Sequence, residues 1–322
     1  LRVPLADVSQ VVLVGQGAGV TTPALHALLA ENIPLSLVRR NGELLGRLVG
    51  PSGRNLELRR RQYRTAADEG FCVALSRQIV LGKLRNYHAL ALRWTRGCAI
   101  ATSSDPDTGD ERRGPALDRL RAALEQAETA TDLASLRGIE GQGSKAYFAV
   151  LRGRLAGRMR FEKRTRRPPK DPANALLSLA YTLLGEAAAT ALEIVGLDPY
   201  EGFYHADKYG RPALALDLLE EFRGPVADSV VLTLINKRML SEADFEGKRA
   251  AGSTEEGSGG VYLSRRGLAT FLEAFTGRLQ SRFTHPLSGR PLTYQKCLEV
   301  QARLLARTIT GDAAQYRPLR VR

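Results

Sequence analysis

The sequence predicts an α+β protein: a small β-rich domain over residues 1–54, then a larger all-α domain over residues 55–322. Three observations carry that prediction. Short β-branched runs cluster before Gly50. From Asn55 onward the apolar spacing turns helical. A chain of 322 residues, 43% hydrophobic and 25% charged, is long enough for two domains and a sizeable core.

The elements follow in order. Residues 8–14 read as an apolar strand, 22–31 as a helix with Pro23 in its first turn, and 33–39 as a second strand. Asn41-Gly42 is a hairpin turn signal, with a third strand over 43–49. Helices are predicted over 56–68, 71–96, 116–127, 138–159 and 172–195. Residues 103–114 read as a polar loop. Leu216, Leu218, Leu219 and Phe222 give the next helix a buried face, and Pro225 breaks it before a restart over 226–239. A glycine-rich loop over 241–260 and two closing helices, 264–276 and 291–308, complete the chain. No internal repeat is visible.

Composition narrows the function. Lys and Arg outnumber Asp and Glu by 47 to 34, a formal net charge of +13, which favours a polyanionic partner. Cys72, Cys98 and Cys297 are far apart and form no zinc or disulfide framework, and their thiols suit the cytoplasm. No membrane partner is expected, because the richest apolar stretch carries Glu186 and Glu193. No signal peptide is apparent. The chain opens on Leu1, so a trimmed or fused N-terminus is expected.

Two stretches concentrate charge. Between Arg152 and Lys170 lie Arg154, Arg158, Arg160, Lys163, Arg164, Arg166 and Arg167, against the single acid Glu162. That run suits phosphate contacts, which set affinity and orientation; a solvated charged face would mix signs. Arg59, Arg60, Arg61 and Arg64, near Lys83 and Arg85, form a second patch that reads equally well as surface.

Acids are fewer and more telling. His205 shortly precedes a helix bearing Asp217, Glu220 and Glu221, on roughly one helical face. Stacked like charges beside a buried face suit a divalent cation. Glu140, at the predicted start of a helix and beside Gly141 and Gly143, either favours the helix dipole or joins such a site. His26, His88 and His285 have no comparable surroundings. Gly15, Gly17 and Gly19 after the first strand suggest a phosphate-binding turn, but GxGxxG is incomplete, with Val20 in the last position.

These residues together resemble a known family, the CRISPR-associated adaptation integrases (the Cas-one family). The resemblance covers nearly the whole chain. It rests on VVLVGQGAGVTTPALHALLAENIPLSLV, Arg61-Gln62, Lys83 and Asn86, Glu140-Gly141 with Tyr147-Phe148, RRPPKDPANALLSLAY, GFYHADKYGRPALALDLLEEFRGPVAD, GVYLS and Gln301-Ala302-Arg303. It implies a metal-dependent DNA integrase and endonuclease that inserts spacer DNA into a CRISPR array. The implied metal ligands are Glu140, His205 and Glu220. Asp217 is implied as an extra ligand or a supporting partner, Asn174 and Ser178 as neighbours of the site, and Glu221 as dispensable. Mg²⁺ or Mn²⁺ is the implied cofactor. The implied partners are DNA, a second copy of the chain meeting it through the β-rich domain, and a dimer of the small Cas-two protein.

The residues themselves suit that chemistry. Two carboxylates and a neutral imidazole leave coordination positions for water and phosphate oxygens. Lys208, Arg211 and Arg223 lie near this stretch and, with the run from Arg152 to Lys170, are expected to hold a duplex. Two other classes compete: a non-catalytic nucleic-acid scaffold of the same fold, and a nucleotide enzyme using residues 15–19. An intact Glu140, His205 and Glu220 favours the integrase.

Overall fold

The computed structural model describes residues 3–15, 17–39, 43–51, 55–95, 113–155, 159, 161, 163–165, 168–205, 209–248 and 259–321. The chain is α+β, a small strand-bearing N-terminal region followed by a helical remainder. Its sheet has the order β1 (Val11–Val14), β2 (Leu35–Val38), β3 (Leu44–Leu48). β1 runs parallel to β2, joined through helix α1 (Thr22–Ala30), and β3 returns antiparallel. Thr21 caps α1 through its side chain, and Pro23 sits in the first turn, where its missing N–H costs nothing. The Asn41-Gly42 turn signal falls outside the described residues. Residues 15–19 lead from β1 towards α1, with Gly15 at φ 88°.

Ten α-helices are found among the described residues. α2 (Leu56–Ala66) and α3 (Glu69–Thr95) follow α1, then α4 (Arg113–Thr129), α5 (Leu133–Arg154) and α6 (Pro172–Val195). α7 (Ala213–Leu219) runs through Glu220 into a π-helical stretch, Arg223–Asp228, and then α8 (Ser229–Asn236). α9 (Arg265–Gln280) and α10 (Tyr294–Thr310) close the fold. Pro225 therefore does not break the chain's helical course as expected. It lies inside the wider π turn, a form that often marks functional sites.

The helical part is not purely α. A hairpin pairs β4 (Phe245–Lys248) with β5 (Gly260–Leu263), and another pairs β6 (Arg282–Thr284) with β7 (Pro291–Thr293). β4 lies within the stretch that reads as a glycine-rich loop, β5 starts at its last residue, and β7 begins where the sequence predicts a helix. Most of the polar loop predicted over 103–114 lies outside the described residues.

α6 is the central helix. It is long and apolar enough to cross a membrane, yet most of it is buried within the protein. Asp171 caps its start, and Gly196 ends it in a left-handed turn at φ 97°. Glu186 does not interrupt this core, because it accepts from Ser36 Oγ at 2.6 Å and lies 3.2 Å from Arg47 Nε. These contacts dock the N-terminal sheet onto α6.

Two apolar clusters meet along α3. One gathers α6 to α10 and takes Leu75 and Ile79 from α3. The other joins α4 and α5 to Val80, Leu81, Leu84 and Tyr87. Gly143 of α5 lets that helix come close, because a Cβ there would lie 2.4 Å from Leu84 Cδ2. The candidate site sits at the seam between the clusters.

Candidate metal and phosphodiester site

Four separated stretches supply the site. α5 presents Glu140, in its second turn rather than at its start as expected. The segment before α7 presents His205, the C-terminal end of α7 presents Asp217 and Glu220, and α3 presents Lys83.

Asp217 builds the histidine's platform. Its Oδ2 accepts the backbone N–H groups of Phe203 at 2.8 Å and Tyr204 at 3.0 Å. Its Oδ1 accepts His205 N–H at 3.0 Å and meets His205 Nδ1 at 2.6 Å. Both oxygens are thus engaged in holding residues 203–205, which makes Asp217 a positioning residue. With Nδ1–H donating to Asp217, the histidine presents Nε2 as a lone pair, the arrangement of a metal-binding imidazole and its carboxylate partner. Nε2 faces Glu220 Oε1 at 3.5 Å.

Glu220 is buried, with its side chain 4% exposed. Arg223 Nη2 lies 2.9 Å from its Oε1, and Lys83 Nζ lies 2.6 Å from its Oε2. Burial alone would push this carboxyl up; Arg223 first, then Lys83 and His205, outweigh it and hold the carboxyl down at about 2. Oε2 has no hydrogen bond of good geometry despite the close ammonium. Lys83 also pairs with Glu140 Oε1, which accepts Ser144 Oγ at 2.6 Å as well.

Glu140, His205 and Glu220 therefore face one region, as the sequence reading requires. Their chemistry fits a hard or borderline divalent ion: two carboxylates, one neutral imidazole, and a buried anionic oxygen without an aligned donor. Among the described residues, no three His, Cys, Asp or Glu side chains are grouped as a metal cage. Lys83 Nζ stands between the two glutamates instead.

Glu221 points away, as an about 100° step per residue requires. It accepts from the Tyr316 hydroxyl, the Leu319 N–H and Gln301 Nε2, and burial pushes its carboxyl up to about 7 against those hydrogen bonds. The expected common face for all three acids is corrected accordingly, and Glu221 is a structural anchor for the C-terminal segment.

The basic residues divide. Arg164 turns inward: Nη1 donates to Asn174 Oδ1 at 2.8 Å, Nη2 to Ser178 Oγ at 3.2 Å, and its guanidinium lies 5.4 Å from the Tyr181 ring centroid. Arg223 also turns inward, onto Glu220, with its guanidinium 4.7 Å from the same ring. Their expected place on a DNA surface is corrected, because each guanidinium is spent on internal partners. Asn174 and Ser178 thus reach the site through Arg164, Tyr181 and Arg223. Arg152, Arg154 and Arg211 are half-buried, and Lys163 and Lys170 are exposed. Arg158, Arg160, Arg166, Arg167 and Lys208 lie outside the described residues.

Two features escape the sequence reading. One is Lys83 as part of the site, although a lysine among Val80, Leu81 and Leu84 is itself a signal, since buried lysines need a partner. The other is Asp228 in the π turn, which accepts from Tyr181 at 2.5 Å and Tyr147 at 2.9 Å. Tyr147 stacks on Tyr87 with centroids 3.6 Å apart. Burial raises Asp228 to about 6, against the lowering effect of these hydroxyls and of Arg223 and Arg164.

The fold, a small sheet followed by a helical remainder, is that of a known class. The family model for "CRISPR associated protein Cas1" matches residues 1–277, and the chain belongs to the Cas1 family. A relative named CRISPR-associated endonuclease Cas1 3, from Thermus thermophilus, is 38% identical over all of this chain and 89% of its own length. A Cas4 exonuclease/Cas1 endonuclease fusion from Rhodospirillum rubrum is 40% identical over 97% of this chain and 51% of the fusion. Among solved structures, a Cas6-RT-Cas1–Cas2 complex aligns at TM-score 0.78 and 26% identity, over 97% of this chain and 32% of that one. A casposase bound to its integration product shares the fold at TM-score 0.81 and 20% identity, over 98% of this chain and 83% of that one.

Proposed function

We propose that this chain is a metal-dependent DNA integrase and endonuclease of CRISPR adaptation. The observation that carries the reading is the convergence of Glu140, His205 and Glu220 from three separate stretches on one buried, cation-hungry region. The endonuclease names of relatives at 38–40% identity support the same activity.

Mg²⁺ or Mn²⁺, held by Glu140, His205 and Glu220, would supply Lewis-acid stabilisation of charge on the scissile phosphate. The chain's own residues do the rest. Asp217 fixes the imidazole tautomer, so that Nε2 carries the lone pair. Arg223 keeps Glu220 ionised inside the protein. A spacer 3′-hydroxyl attacks phosphorus in line: a new P–O bond forms, the target strand's P–O3′ bond breaks, and the proton passes from the attacking to the leaving oxygen. Water in place of the hydroxyl gives the nuclease reaction. No covalent protein nucleophile is required. Exposed Lys163 and Lys170 supply phosphate contacts.

The same reading places the chain in the cytoplasm as a homodimer working on DNA with a Cas2 dimer. Likeness to the solved Cas6-RT-Cas1–Cas2 complex, at 26% identity, supports the Cas2 partner. The test is strand transfer of a spacer duplex into a supercoiled leader–repeat plasmid, with Mn²⁺ or Mg²⁺ and Cas2. Glu140→Ala and His205→Ala are each expected to abolish product while DNA binding persists. Full activity in both variants would overturn the metal assignment and leave a nucleic-acid scaffold.

A further inference from the structure

Lys83 is the least expected member of the site. Its side chain is 6% exposed, on a helix whose buried residues are mostly apolar, and its ammonium touches Glu140 and Glu220 together. A buried lysine needs such compensation, and so does the buried carboxylate of Glu220, whereas that of Glu140 is half-buried. Those carboxylates are also two of the three groups assigned to the metal. The ammonium and the ion therefore claim the same oxygens.

We propose that Lys83 is a positioning residue that acts as a built-in competitor for the divalent ion. It holds Glu140 and Glu220 together before metal binds and yields them when metal arrives. This inference rests on the metal assignment above. The geometry provides somewhere for the displaced charge to go. Tyr87 lies one helical turn along α3, and the Lys83 ammonium is already 5.4 Å from its ring centroid. Glu220 keeps a second cation, Arg223, when Lys83 leaves. Competition of this kind is a linkage between two cations. Whatever stabilises the metal-free protein through Lys83 is subtracted from metal affinity.

The decisive measurement is Mn²⁺ affinity of the full chain without DNA, by electron paramagnetic resonance and calorimetry in slightly alkaline buffer. K83M is expected to bind Mn²⁺ about tenfold more tightly or better, as removal of a near, poorly screened positive charge implies. K83R, which keeps the charge, is expected to stay within about threefold of wild type. A merely structural lysine would leave affinity unchanged or weaken it, and either result in folded K83M overturns the proposal. Wild-type protein gives a second readout that needs no variant: acylation of Lys83, relative to the other lysines, read by mass spectrometry. Mn²⁺ is expected to raise labelling of Lys83, and unchanged labelling overturns the proposal. E220Q separates the two levels. If wild type binds Mn²⁺ and E220Q loses it, the metal assignment stands, and an unaltered K83M refutes competition alone. If wild type and E220Q bind Mn²⁺ alike, the metal assignment fails, and the competitor role fails with it.

Discussion

Glu220 and Glu221 are adjacent, equally buried and chemically identical, yet the fold gives them opposite fates. Glu220 faces cations, with Arg223 and Lys83 holding its carboxyl down at about 2. Glu221 faces neutral donors, the Tyr316 hydroxyl, the Leu319 N–H and the Gln301 amide, and burial carries it up to about 7. Burial penalises both charges; the sign of the outcome is set by whether full charges or dipoles compensate. One side of the α7 terminus thus gathers full charges, and the other is a clamp on the C-terminal segment.

The largest effect that tests this contrast is on catalysis. Glu220→Gln preserves shape and removes the charge, and is expected to lower strand-transfer rate by about a thousandfold or more. Its melting temperature should fall as well, because Lys83 and Arg223 lose their buried counter-charge. A Glu220→Gln protein with near-normal turnover would erase the distinction between the two sides.

The opposite face should fail in the opposite way. Glu221→Ala leaves the buried Tyr316 hydroxyl and the Leu319 N–H without their acceptor, while Gln301 Nε2 keeps Tyr316 Oη and the Arg317 carbonyl, so the cost is about 1–3 kcal/mol per orphaned group and together roughly 3–4 kcal/mol. The thermal unfolding midpoint should drop by about 5 °C. The protein that remains folded should still bind Mn²⁺. The clamp also has a second jaw: Asn86 Nδ2 donates to the carbonyls of Glu221 and Leu319, and Pro318 packs where a Cβ on Gly82 would lie 2.4 Å away. Full stability in Glu221→Ala would show that these contacts hold the segment without the carboxylate.

How much of this is legible in the sequence depends on what each signal encodes. α6 reads with its true bounds because Asp171, Pro172 and Gly196 punctuate it locally. The β4–β5 hairpin is hidden because its strands flank a glycine-rich stretch and pair across it, which local pattern does not report. The π turn reads as a break because Pro225 ordinarily is one. Glu140, His205 and Glu220 are legible as residue types, with the family resemblance supplying the grouping. The directions of charged side chains are not. Arg164 and Arg223 look like surface charge in sequence, and only packing reveals Asn174, Ser178 and Glu220 as their partners. Lys83 is hidden for the same reason.

Asp228 extends the contrast to pH. It closes the π turn and, like Glu221, is held by hydroxyl dipoles; Arg223 and Arg164 only moderate its rise to about 6. An unfolded aspartate releases its proton near pH 3.8. Below that value both states are protonated. As pH rises from about 4 to about 6 the unfolded chain ionises first, so stability falls by roughly 3 kcal/mol and then levels. Asp228→Asn removes this contribution. Chemical denaturation across that range should therefore show a decline in wild type that is shallower in the variant, where the raised Glu221 still contributes, and identical profiles would mean that folding does not raise Asp228.

The smallest expected effect carries the same logic to the cations. If partners rather than charge decide a role, inward Arg164 and outward Lys163 must differ although they are adjacent. Lys163 is exposed, whereas the Arg164 guanidinium is bonded to Asn174 and Ser178. Lys163→Ala should weaken DNA binding uniformly across sequences and reduce the slope of log affinity against log salt by about 0.9, the signature of one lost phosphate contact. Arg164→Ala should leave that slope unchanged and lower thermal stability instead, by removing the bond network over Tyr181. A matching drop in salt slope for both variants would mean that Arg164 swings out to meet DNA, and that the division between inward and outward charge holds only without the duplex.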